Sequence, residues 1–265
     1  MDIYLDSRTS NTFNQLLNYR WHTGYPSMFY GQLQLEEDLL NLLNPASGAK
    51  VLDFGCGNGI VTGDYALMRP DCSFIGVSNA VTNLSDARRL VQLRKIKNVS
   101  FQYADGNGEL PFKDNSFDGI IFTESICHVK DKRLLFSEFH RILKKGGKIS
   151  GSDWFCKNSS YRNKIDRVYT TEMKTIGYYL KTLRATGFKV SAVRTFSPTT
   201  EFSLTDILTY PYNAYKYRKY SLPEQLVSVK ETSELSKNLI RGGKYIDQAA
   251  KKGLFTIGII FALSI

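Results

Sequence analysis

Two hydrophobic patterns alternate through the middle of the chain. Short apolar runs, such as residues 120–122, are typical of strands buried on both faces. Between these runs, apolar residues recur every three or four positions, as in residues 80–97, which indicates helices. The runs predict strands at residues 50–54, 73–77, 99–103, 117–123, 147–152, 188–196 and 254–263. The periodic stretches predict helices at residues 32–43, 60–68, 80–97, 132–143, 170–186 and 223–252.

Strands that alternate with helices need crossover connections, which produce a largely parallel sheet covered on both faces. The pattern therefore predicts an α/β fold with a doubly wound, mainly parallel seven-stranded sheet. We place this core at residues 45–197, completed by residues 253–265. Residues 1–44 and 198–252 do not follow the alternation. We predict that they form a helical lid, built from N-terminal helices and from an insert before the last strand.

The composition is that of a folded globular protein. Of the 265 residues, 42% are hydrophobic and 23% are charged, which excludes wholesale disorder and collagen-like repeats. The charge is divided unevenly: residues 1–129 hold 10 basic and 14 acidic side chains, whereas residues 130–265 hold 25 basic and 11 acidic ones. The basic excess of the second half is compatible with an anionic substrate and equally with a solvated face.

The four cysteines, Cys56, Cys72, Cys127 and Cys156, form no Cys-x-x-Cys pair, so no zinc or redox motif is indicated and no metal is expected. The start of the chain is acidic and polar, unlike a secretory leader. The longest apolar run, residues 253–265, is shorter than the ~20 residues of a membrane helix. We therefore predict a soluble, cytoplasmic protein without a membrane span.

A glycine-rich turn follows the first predicted strand, in the string Val-Leu-Asp-Phe-Gly-Cys-Gly-Asn-Gly at residues 51–59. Glycine tolerates positive φ angles and lets a ligand approach the backbone. Open parallel sheets bind ligands in the crevice beyond the carboxyl ends of their strands, where this turn is expected to lie. The simpler alternative is a strand-turn-helix junction with no ligand.

This string resembles motif I of class I S-adenosylmethionine-dependent methyltransferases, with Asp53, Gly55, Gly57 and Gly59 at the matching positions. The resemblance implies a Rossmann-like fold, methyltransferase activity, and S-adenosyl-L-methionine as the cofactor, with S-adenosyl-L-homocysteine as its product. The cofactor-binding residues that it implies are Asp53, Gly55, Cys56, Gly57, Gly59, Ser78, Asn79, Asn83, Asp105, Gly106 and Glu124.

The end of the second strand departs from the usual family pattern. Most members have an acid there that binds the ribose hydroxyls, whereas this chain has Ser78 and Asn79, followed by Asn83. The departure resembles a subgroup that acts on sterols, fatty acyl chains, terpenoids and other small molecules. The alternative for Asn79 is an N-cap of the helix that starts at residue 80. After the third strand, the resemblance places Asp105 near the adenine amino group; the alternative is an ordinary turn aspartate.

Two further strings resemble the family in its architecture. Leu-Pro-Phe-Lys-Asp-Asn-Ser-Phe-Asp at residues 110–118 resembles the lead into the fourth strand. Phe-His-Arg-Ile-Leu-Lys-Lys-Gly-Gly at residues 139–147 resembles a helix end of the family, with Lys145 where proline is usual. Within it, His140 is expected to be a surface or core residue. Together the motifs cover roughly residues 50–155.

The candidate catalytic residues follow the fourth strand. Glu124 and His128 are four positions apart and share a face if this segment is helical. The stretch resembles the Glu-Ser-x-x-His of small-molecule methyltransferases, in which the glutamate stabilises a cation or takes a proton and the histidine acts as a base. The alternatives are that Glu124 contacts the methionine amine of the cofactor, and that His128 only fills space.

Aromatic residues cluster in the two predicted lid segments. Tyrosine and tryptophan present an apolar face with a polar tip, which suits a cover over an apolar pocket, although ordinary lid packing is the alternative. The predicted substrate-pocket residues are Tyr19, Trp21, His22, Tyr25, Trp154 and Tyr215. For Trp154, which follows the fifth strand, an exposed loop is the alternative.

The sequence therefore favours a methyltransferase of a small, apolar or amphipathic metabolite, such as a terpenoid, a sterol-like lipid or an aromatic natural product of secondary metabolism. Carbon and oxygen acceptors are both open, with in-line methyl transfer. The alternative is an RNA or protein methyltransferase that docks through its basic half. Nucleic acid is the less favoured partner because no Asn-Pro-Pro-Tyr string follows the fourth strand. The sequence leaves the oligomeric state open, a homodimer included.

Overall fold

The strands and helices alternate along most of the chain, and the computed structural model describes residues 30–198 and 241–265. The strands are β1 (Lys50–Phe54), β2 (Ser73–Ser78), β3 (Val99–Tyr103), β4 (Phe117–Thr123), β5 (Leu143–Cys156), β6 (Phe188–Phe196) and β7 (Phe255–Ser264). The helices are α1 (Tyr30–Leu43), α2 (Ile60–Met68), α3 (Val81–Leu93), α4 (Lys132–Ile142), α5 (Ser159–Tyr169), α6 (Ile176–Ala185) and α7 (residues 241–251). A 3-10 turn spans Ile126–His128.

The seven strands form one sheet in the order β3-β2-β1-β4-β5-β7-β6. Strands β1 to β5 pair in parallel, and β7 runs antiparallel to both of its neighbours. The strand order reverses between β1 and β4, which opens a crevice at the carboxyl ends of these two strands. The predicted doubly wound, mainly parallel, Rossmann-like sheet of seven strands is confirmed.

Helices cover both faces of the sheet. Neighbouring residues on a strand point to opposite faces, so each central strand contributes side chains to both layers. Leu52 and Phe122 pack on one face in a cluster that includes α4 and α6 residues such as Phe139. Val51 and Ile121 pack on the other face with α1 and α2. This explains why the central strands read as continuous apolar runs.

Strand β5 is longer than the predicted strand at residues 147–152. Its pairing with β7 continues from Lys148 to Cys156, so a tertiary partner extends the strand beyond its apolar run. Its start is irregular, because the pairing with β4 shifts register, and Gly146 has a φ of 76°. The prediction therefore located this strand but missed both of its ends.

The predicted helix at residues 170–186 is wrong in its first third. The chain forms α5 and α6 instead, and Thr170 ends α5 in a left-handed conformation, with a φ of 54°. Asn158 caps the start of α5, and its side chain accepts a hydrogen bond from the Tyr161 amide. The predicted helix at residues 80–97 is also too long, since α3 ends at Leu93.

The two architectural motifs meet in one cluster of hydrogen bonds. The Arg141 guanidinium contacts the Glu138 carboxylate at 2.6 and 2.9 Å and donates to the carbonyls of Leu110 and Phe112. It also pairs with Asp114, and the Leu110 amide donates to Glu138. Arg141 lowers the pKa of Glu138 below its ordinary value. The cluster fastens the lead into β4 to the end of α4.

The inner ends of the predicted lid segments pack with the sheet. Leu35 and Leu39 of α1 belong to the same cluster as Val51. Ile246 and Ala249 of α7 pack in a cluster near β5 and β7. The remainder of both segments lies outside the described residues, so the lid stays a prediction. Among the described residues, no helix has the length and apolar character needed to cross a bilayer.

Candidate functional site

One cavity opens at the carboxyl ends of β1, β2, β3 and β4, where the strand order reverses. Loops from these strand ends form its wall, together with one residue of β5. The lining residues are Phe54, Gly55, Gly57, Val77, Ser78, Asn79, Ala80, Asn83, Ala104, Asp105, Gly106, Asn107, Thr123, Glu124, Ser125, Cys127, His128, Val129 and Trp154. The cavity therefore combines bare backbone with polar side chains.

The glycine loop is folded tightly against two neighbouring strands. The amides of Gly55 and Cys56 both donate to the Val77 carbonyl at 2.9 Å. On the other side, Ser125 Oγ donates to the Phe54 carbonyl at 2.7 Å. A Cβ at Gly55 would lie 2.2 Å from Ser125 Cβ, and the φ of Gly55 is 79°. Glycine is required here both by conformation and by space.

The predicted residues of this loop divide into two groups. Gly55 and Gly57 line the cavity, and Gly57 has a φ of 52°. Asp53 lies beneath the loop, buried, and accepts a hydrogen bond from Thr62 Oγ1 at 2.6 Å. The Cys56 side chain packs beside α3, and a Cβ at Gly59 would lie 2.5 Å from the Ala87 Cβ. Asp53, Cys56 and Gly59 thus shape the loop from behind, and their cofactor contacts stay predictions.

The end of β2 places three neutral polar residues on the cavity wall. Ser78, Asn79 and Asn83 all line it, with Asn79 exposed and the other two buried. The N-cap of α3 is Ala80, whose amide donates to Ser78 Oγ at 3.1 Å. The alternative interpretation of Asn79 as the N-cap is therefore wrong.

The end of β3 contributes an exposed carboxylate. Asp105 Oδ1 accepts from both the amide and the side chain of Asn107, at 3.1 and 3.0 Å, in a turn. Asn107 Oδ1 in turn accepts from the Lys130 amide at 2.7 Å. A Cβ at Gly106 would lie 2.5 Å from the Phe54 ring, so this position needs glycine for space. The turn and a ligand contact are compatible, because Asp105 also lines the cavity.

Glu124 is held in an unusual conformation at the end of β4. Its φ is 50°, its exposure is 7%, and its amide donates to the Ser152 carbonyl. Its Oε2 accepts a hydrogen bond of 2.6 Å from Trp154 Nε1. A left-handed conformation costs a non-glycine residue roughly 1 kcal/mol, and such strain concentrates at functional sites. The exposed-loop alternative for Trp154 is wrong, since this side chain is buried.

His128 reaches the same cavity through the 3-10 turn rather than through a helix. Glu124 and His128 both line the cavity, although the helix that would place them on a shared face does not form. His128 Nδ1 lies 3.3 Å from the Thr170 carbonyl oxygen. A carbonyl only accepts hydrogen bonds, so a hydrogen bond at this contact requires the proton on Nδ1. His140 lies elsewhere, half-buried, with Nε2 at 3.2 Å from the Ile265 backbone oxygen.

A buried polar group lies behind the wall. Asp153 is fully buried and accepts from Tyr179 Oη at 2.7 Å and from the Trp154 amide at 2.8 Å. Burial raises the pKa of Asp153 above its ordinary value. Burial, and next the negative charge of Asp153, raise the pKa of the Cys127 thiol. The Asp-Trp pair follows the strand predicted at residues 147–152 but lies within β5, where Trp154 lines the cavity and Asp153 is buried.

The remaining predicted pocket residues cannot be placed. Tyr19, Trp21, His22, Tyr25 and Tyr215 lie outside the described residues. Over residues 30–198 and 241–265, no group of three His, Cys, Asp or Glu side chains is arranged to hold a metal ion. Asn107 also lines the cavity and was not singled out from the sequence.

All residues that line this cavity lie within the part of the chain that matches a known protein family. The model of a family described as "Methyltransferase domain" matches residues 45–187, more than half of the chain. An O-methyltransferase of Pyrenophora dematioidea is 35% identical over 117 residues, covering 44% of this chain and 43% of the relative. Phosphoethanolamine N-methyltransferase 3 of Arabidopsis thaliana is 31% identical over 173 residues, covering 65% of this chain and 34% of the relative.

A solved structure supports the fold. The geranyl diphosphate C-methyltransferase of Streptomyces coelicolor A3(2) matches with a TM-score of 0.70 and 17% identity, covering 89% of this chain and 77% of that one. At this identity the likeness concerns the fold alone. The chain spans less than half the length of the two relatives compared by sequence.

Proposed function

Because the chain belongs to the methyltransferase-domain family, we propose that it transfers a methyl group from S-adenosylmethionine to a small, apolar or amphipathic metabolite. The family match confirms the resemblance to class I S-adenosylmethionine-dependent methyltransferases and, with it, the predicted cofactor. The observation that carries the proposal is a single cavity at the switch point of the sheet, lined by the glycine loop and by Glu124 and His128.

The cavity fits this cofactor in shape and in the chemistry of its wall. Gly55 and Gly57 line one side of the cavity with backbone that carries no side chain. Neutral and acidic acceptors face the same space, as an adenosine with hydroxyl and amino donors requires. The residues that would hold it are Gly55, Gly57, Ser78, Asn79, Asn83, Asp105, Gly106 and Glu124. When bound, S-adenosylmethionine supplies an electrophilic methyl group on a sulfonium.

His128 is suited to take a proton from the acceptor. Its Nδ1–H donates to the Thr170 carbonyl, so in the neutral ring the lone pair is on Nε2. His128 lines the cavity. We assign Nε2 the role of receiving the proton of a hydroxyl or amine as the acceptor attacks, a contribution typically worth about 10²–10⁴-fold in rate.

Glu124 is suited to hold positive charge. Its carboxylate is buried at the wall and oriented by the Trp154 indole. A buried carboxylate is costly unless partners or a cationic ligand compensate for the lost hydration. We assign Glu124 the role of orienting a cationic group, whether on the cofactor or on the acceptor.

We expect this chain to accept a narrower range of substrates than the methyltransferase family as a whole. The names of the relatives cover oxygen, nitrogen and carbon acceptors, and two of them name substrates that carry phosphate. The basic second half of the chain favours an anionic group as well. We therefore propose an amphipathic metabolite with an apolar body, methylated at oxygen, with nitrogen and carbon acceptors as the other outcomes of the test.

The test is a panel assay of S-adenosylhomocysteine release. The panel pairs phosphate-bearing with neutral acceptors, and hydroxyl with amine acceptors of matched size. The expected result is turnover on small hydroxylated compounds, which falls about 100-fold or more in His128→Asn. Turnover on RNA or protein with none on small molecules would contradict the proposal.

A further inference from the structure

A lysine lies fully buried behind the cavity wall. Lys132 is the first residue of α4 and has 0% exposure. Its Nζ donates to the carbonyls of Val129, at 2.6 Å, and Glu172, at 2.8 Å, and lies 5.8 Å from the centre of the Tyr179 ring. Burying an ammonium group is costly unless it is well hydrogen-bonded, so its position requires an explanation.

The two carbonyls that Lys132 joins belong to segments far apart in sequence. Val129 ends the 3-10 turn that carries His128, and Glu172 lies in the link between α5 and α6. Burial lowers the pKa of Lys132, and the negative charge of Asp153 opposes that shift. Lys132 thus connects the cavity wall to the link between α5 and α6. Among the described residues, no salt bridge joins its ammonium group directly to a carboxylate.

Two more hydrogen bonds connect the same segments. The Glu172 amide donates to the Cys127 carbonyl at 2.6 Å, and His128 Nδ1 donates to the Thr170 carbonyl. Thr170 adopts a φ of 54°, which turns the chain at the end of α5. The Asp166 carboxylate accepts from Thr171 Oγ1 and the Met173 amide, which fixes the link from the other side. The link is therefore held rigidly where it receives the histidine ring.

We propose that Lys132 is a positioning residue, which holds residues 170–172 against the 3-10 turn and so fixes the His128 ring at the cavity wall in its Nδ1–H form. The Nε2–H form would oppose two lone pairs across the 3.3 Å contact with the Thr170 carbonyl. The expected effect of Lys132 on the reaction rate rests on the proposed methyl transfer. The position of the proton on the His128 ring does not depend on that proposal.

A second histidine, His140, is an internal reference for the position of the ring proton. His140 places Nε2, not Nδ1, against the backbone oxygen of Ile265 at 3.2 Å. The same reasoning assigns it the Nε2–H form. The two histidines should therefore show opposite protonation patterns in the same sample, and only His128 should respond to a change at Lys132.

The experiment is a long-range ¹H–¹⁵N spectrum of protein labelled at its three histidines. It is recorded at a pH at which the rings are neutral, and His128→Asn assigns the His128 signals. In the wild-type protein we expect the Nδ1–H pattern at His128 and the Nε2–H pattern at His140. Finding Nε2–H at His128 would overturn the proposal without any measurement of activity.

The variants are Lys132→Met, an unbranched side chain one atom shorter and without donors, and Lys132→Gln, which has the same reach as methionine but keeps an N–H donor. Lys130→Met is the matched control, because Lys130 is exposed and only its backbone amide is bonded to the wall. We expect mixed forms at His128 in Lys132→Met, a smaller change in Lys132→Gln, and no change at His140 in any variant. If Lys132→Met does not fold, Lys132→Gln supplies the same test.

The kinetic readout separates positioning from structure. A base displaced by about 1 Å costs about 100-fold in rate, so kcat should fall by about that factor in Lys132→Met, with little change in the affinity for S-adenosylmethionine. An unchanged Nδ1–H pattern in both Lys132 variants would contradict the proposal. A changed pattern with no activity in any protein, wild type included, would leave the proposal standing and remove the proposed function instead.

Discussion

The cavity has two sides that are built differently. We name the ends of β1, β2 and β3 the cofactor side and the ends of β4 and β5 the acceptor side. On the cofactor side, backbone groups define the shape, as where the Gly55 and Cys56 amides share the Val77 carbonyl. On the acceptor side, side chains define it, through the contact of Trp154 with Glu124 and of His128 with the α5–α6 link.

This difference separates the part of the cavity that depends on the shared scaffold from the part that depends on the side chains of this chain. A backbone-lined site depends on a few glycines in a short stretch of sequence, so one scaffold can keep it while its substrates change. A wall of buried side chains depends on contacts between distant elements, such as the 30 residues that separate Glu124 from Trp154. We therefore expect changes on the two sides to have separable effects, on binding and on turnover.

The largest expected effect is on the cofactor side, in Gly57→Arg. An arginine at this position must adopt a φ near 52° and places its side chain at a cavity-lining position. We expect the affinity for S-adenosylmethionine, measured by calorimetry, to fall at least about 100-fold. The strain itself should reduce the free energy of unfolding by only about 1–2 kcal/mol.

The matched control for this change is Gly48→Arg. Gly48 has a comparable φ of 78°, nothing lies within 4 Å of an added Cβ, and it is not part of the cavity. The control should share the loss of stability and keep the affinity. Equal affinities in the two variants would remove the glycine loop from the binding site.

The next effect is on the acceptor side, in Glu124→Gln. Glutamine keeps an oxygen that can accept from Trp154 Nε1 but loses the negative charge. We expect kcat to fall about 100-fold while the unfolding midpoint changes little. The control is Glu109→Gln, an exposed position. Normal turnover in Glu124→Gln would exclude the carboxylate from the chemistry.

A smaller effect is expected from Trp154→Phe. Phenylalanine keeps an aromatic ring against Tyr169 and Phe255 but cannot donate to Glu124. A hydrogen bond to a charged group contributes roughly 1.5–3 kcal/mol, so we expect kcat to fall about tenfold with cofactor affinity retained. Tyr178→Phe, at an exposed position, is the control. A loss of affinity larger than the loss of kcat would place Trp154 on the cofactor side.

The smallest effect on the site is expected from Glu138→Gln, which lies outside the cavity. The pKa of Glu138 is lowered by Arg141, so this pair stabilises the fold at neutral pH. The stabilisation is lost as the pH falls below the unfolded pKa of about 4.5 and through the lowered folded value. We expect the variant to be about 1–2 kcal/mol less stable at pH 7, with a difference that shrinks in acid and unchanged kinetics. A difference independent of pH would contradict this assignment.

The cofactor side could be predicted because its signals are local. The glycines at 55, 57 and 59 lie within five residues, and the strands before and after them are apolar runs that any doubly wound sheet requires. The cap and the amphipathic spacing of Tyr161, Ile165 and Tyr169 could also have revealed α5, which was missed.

The acceptor side could be predicted only in its parts. Glu124 and His128 were identified from their place after the fourth strand and from the resemblance of that stretch, but nothing local indicates that Trp154 would contact one and Thr170 the other. Lys132 reads as the first, solvated residue of a helix, and its burial depends on a link 40 residues away. Contacts of this kind are decided by tertiary packing, which a single sequence does not display.

A crystal structure of the chain with S-adenosylhomocysteine tests the two-sided cavity most directly. The account predicts the adenosine between the glycine loop, Asn79 and Asp105, and the sulfur facing the wall formed by Glu124 and His128. A ligand bound elsewhere, or bound with its sulfur directed away from Glu124 and His128, would contradict it.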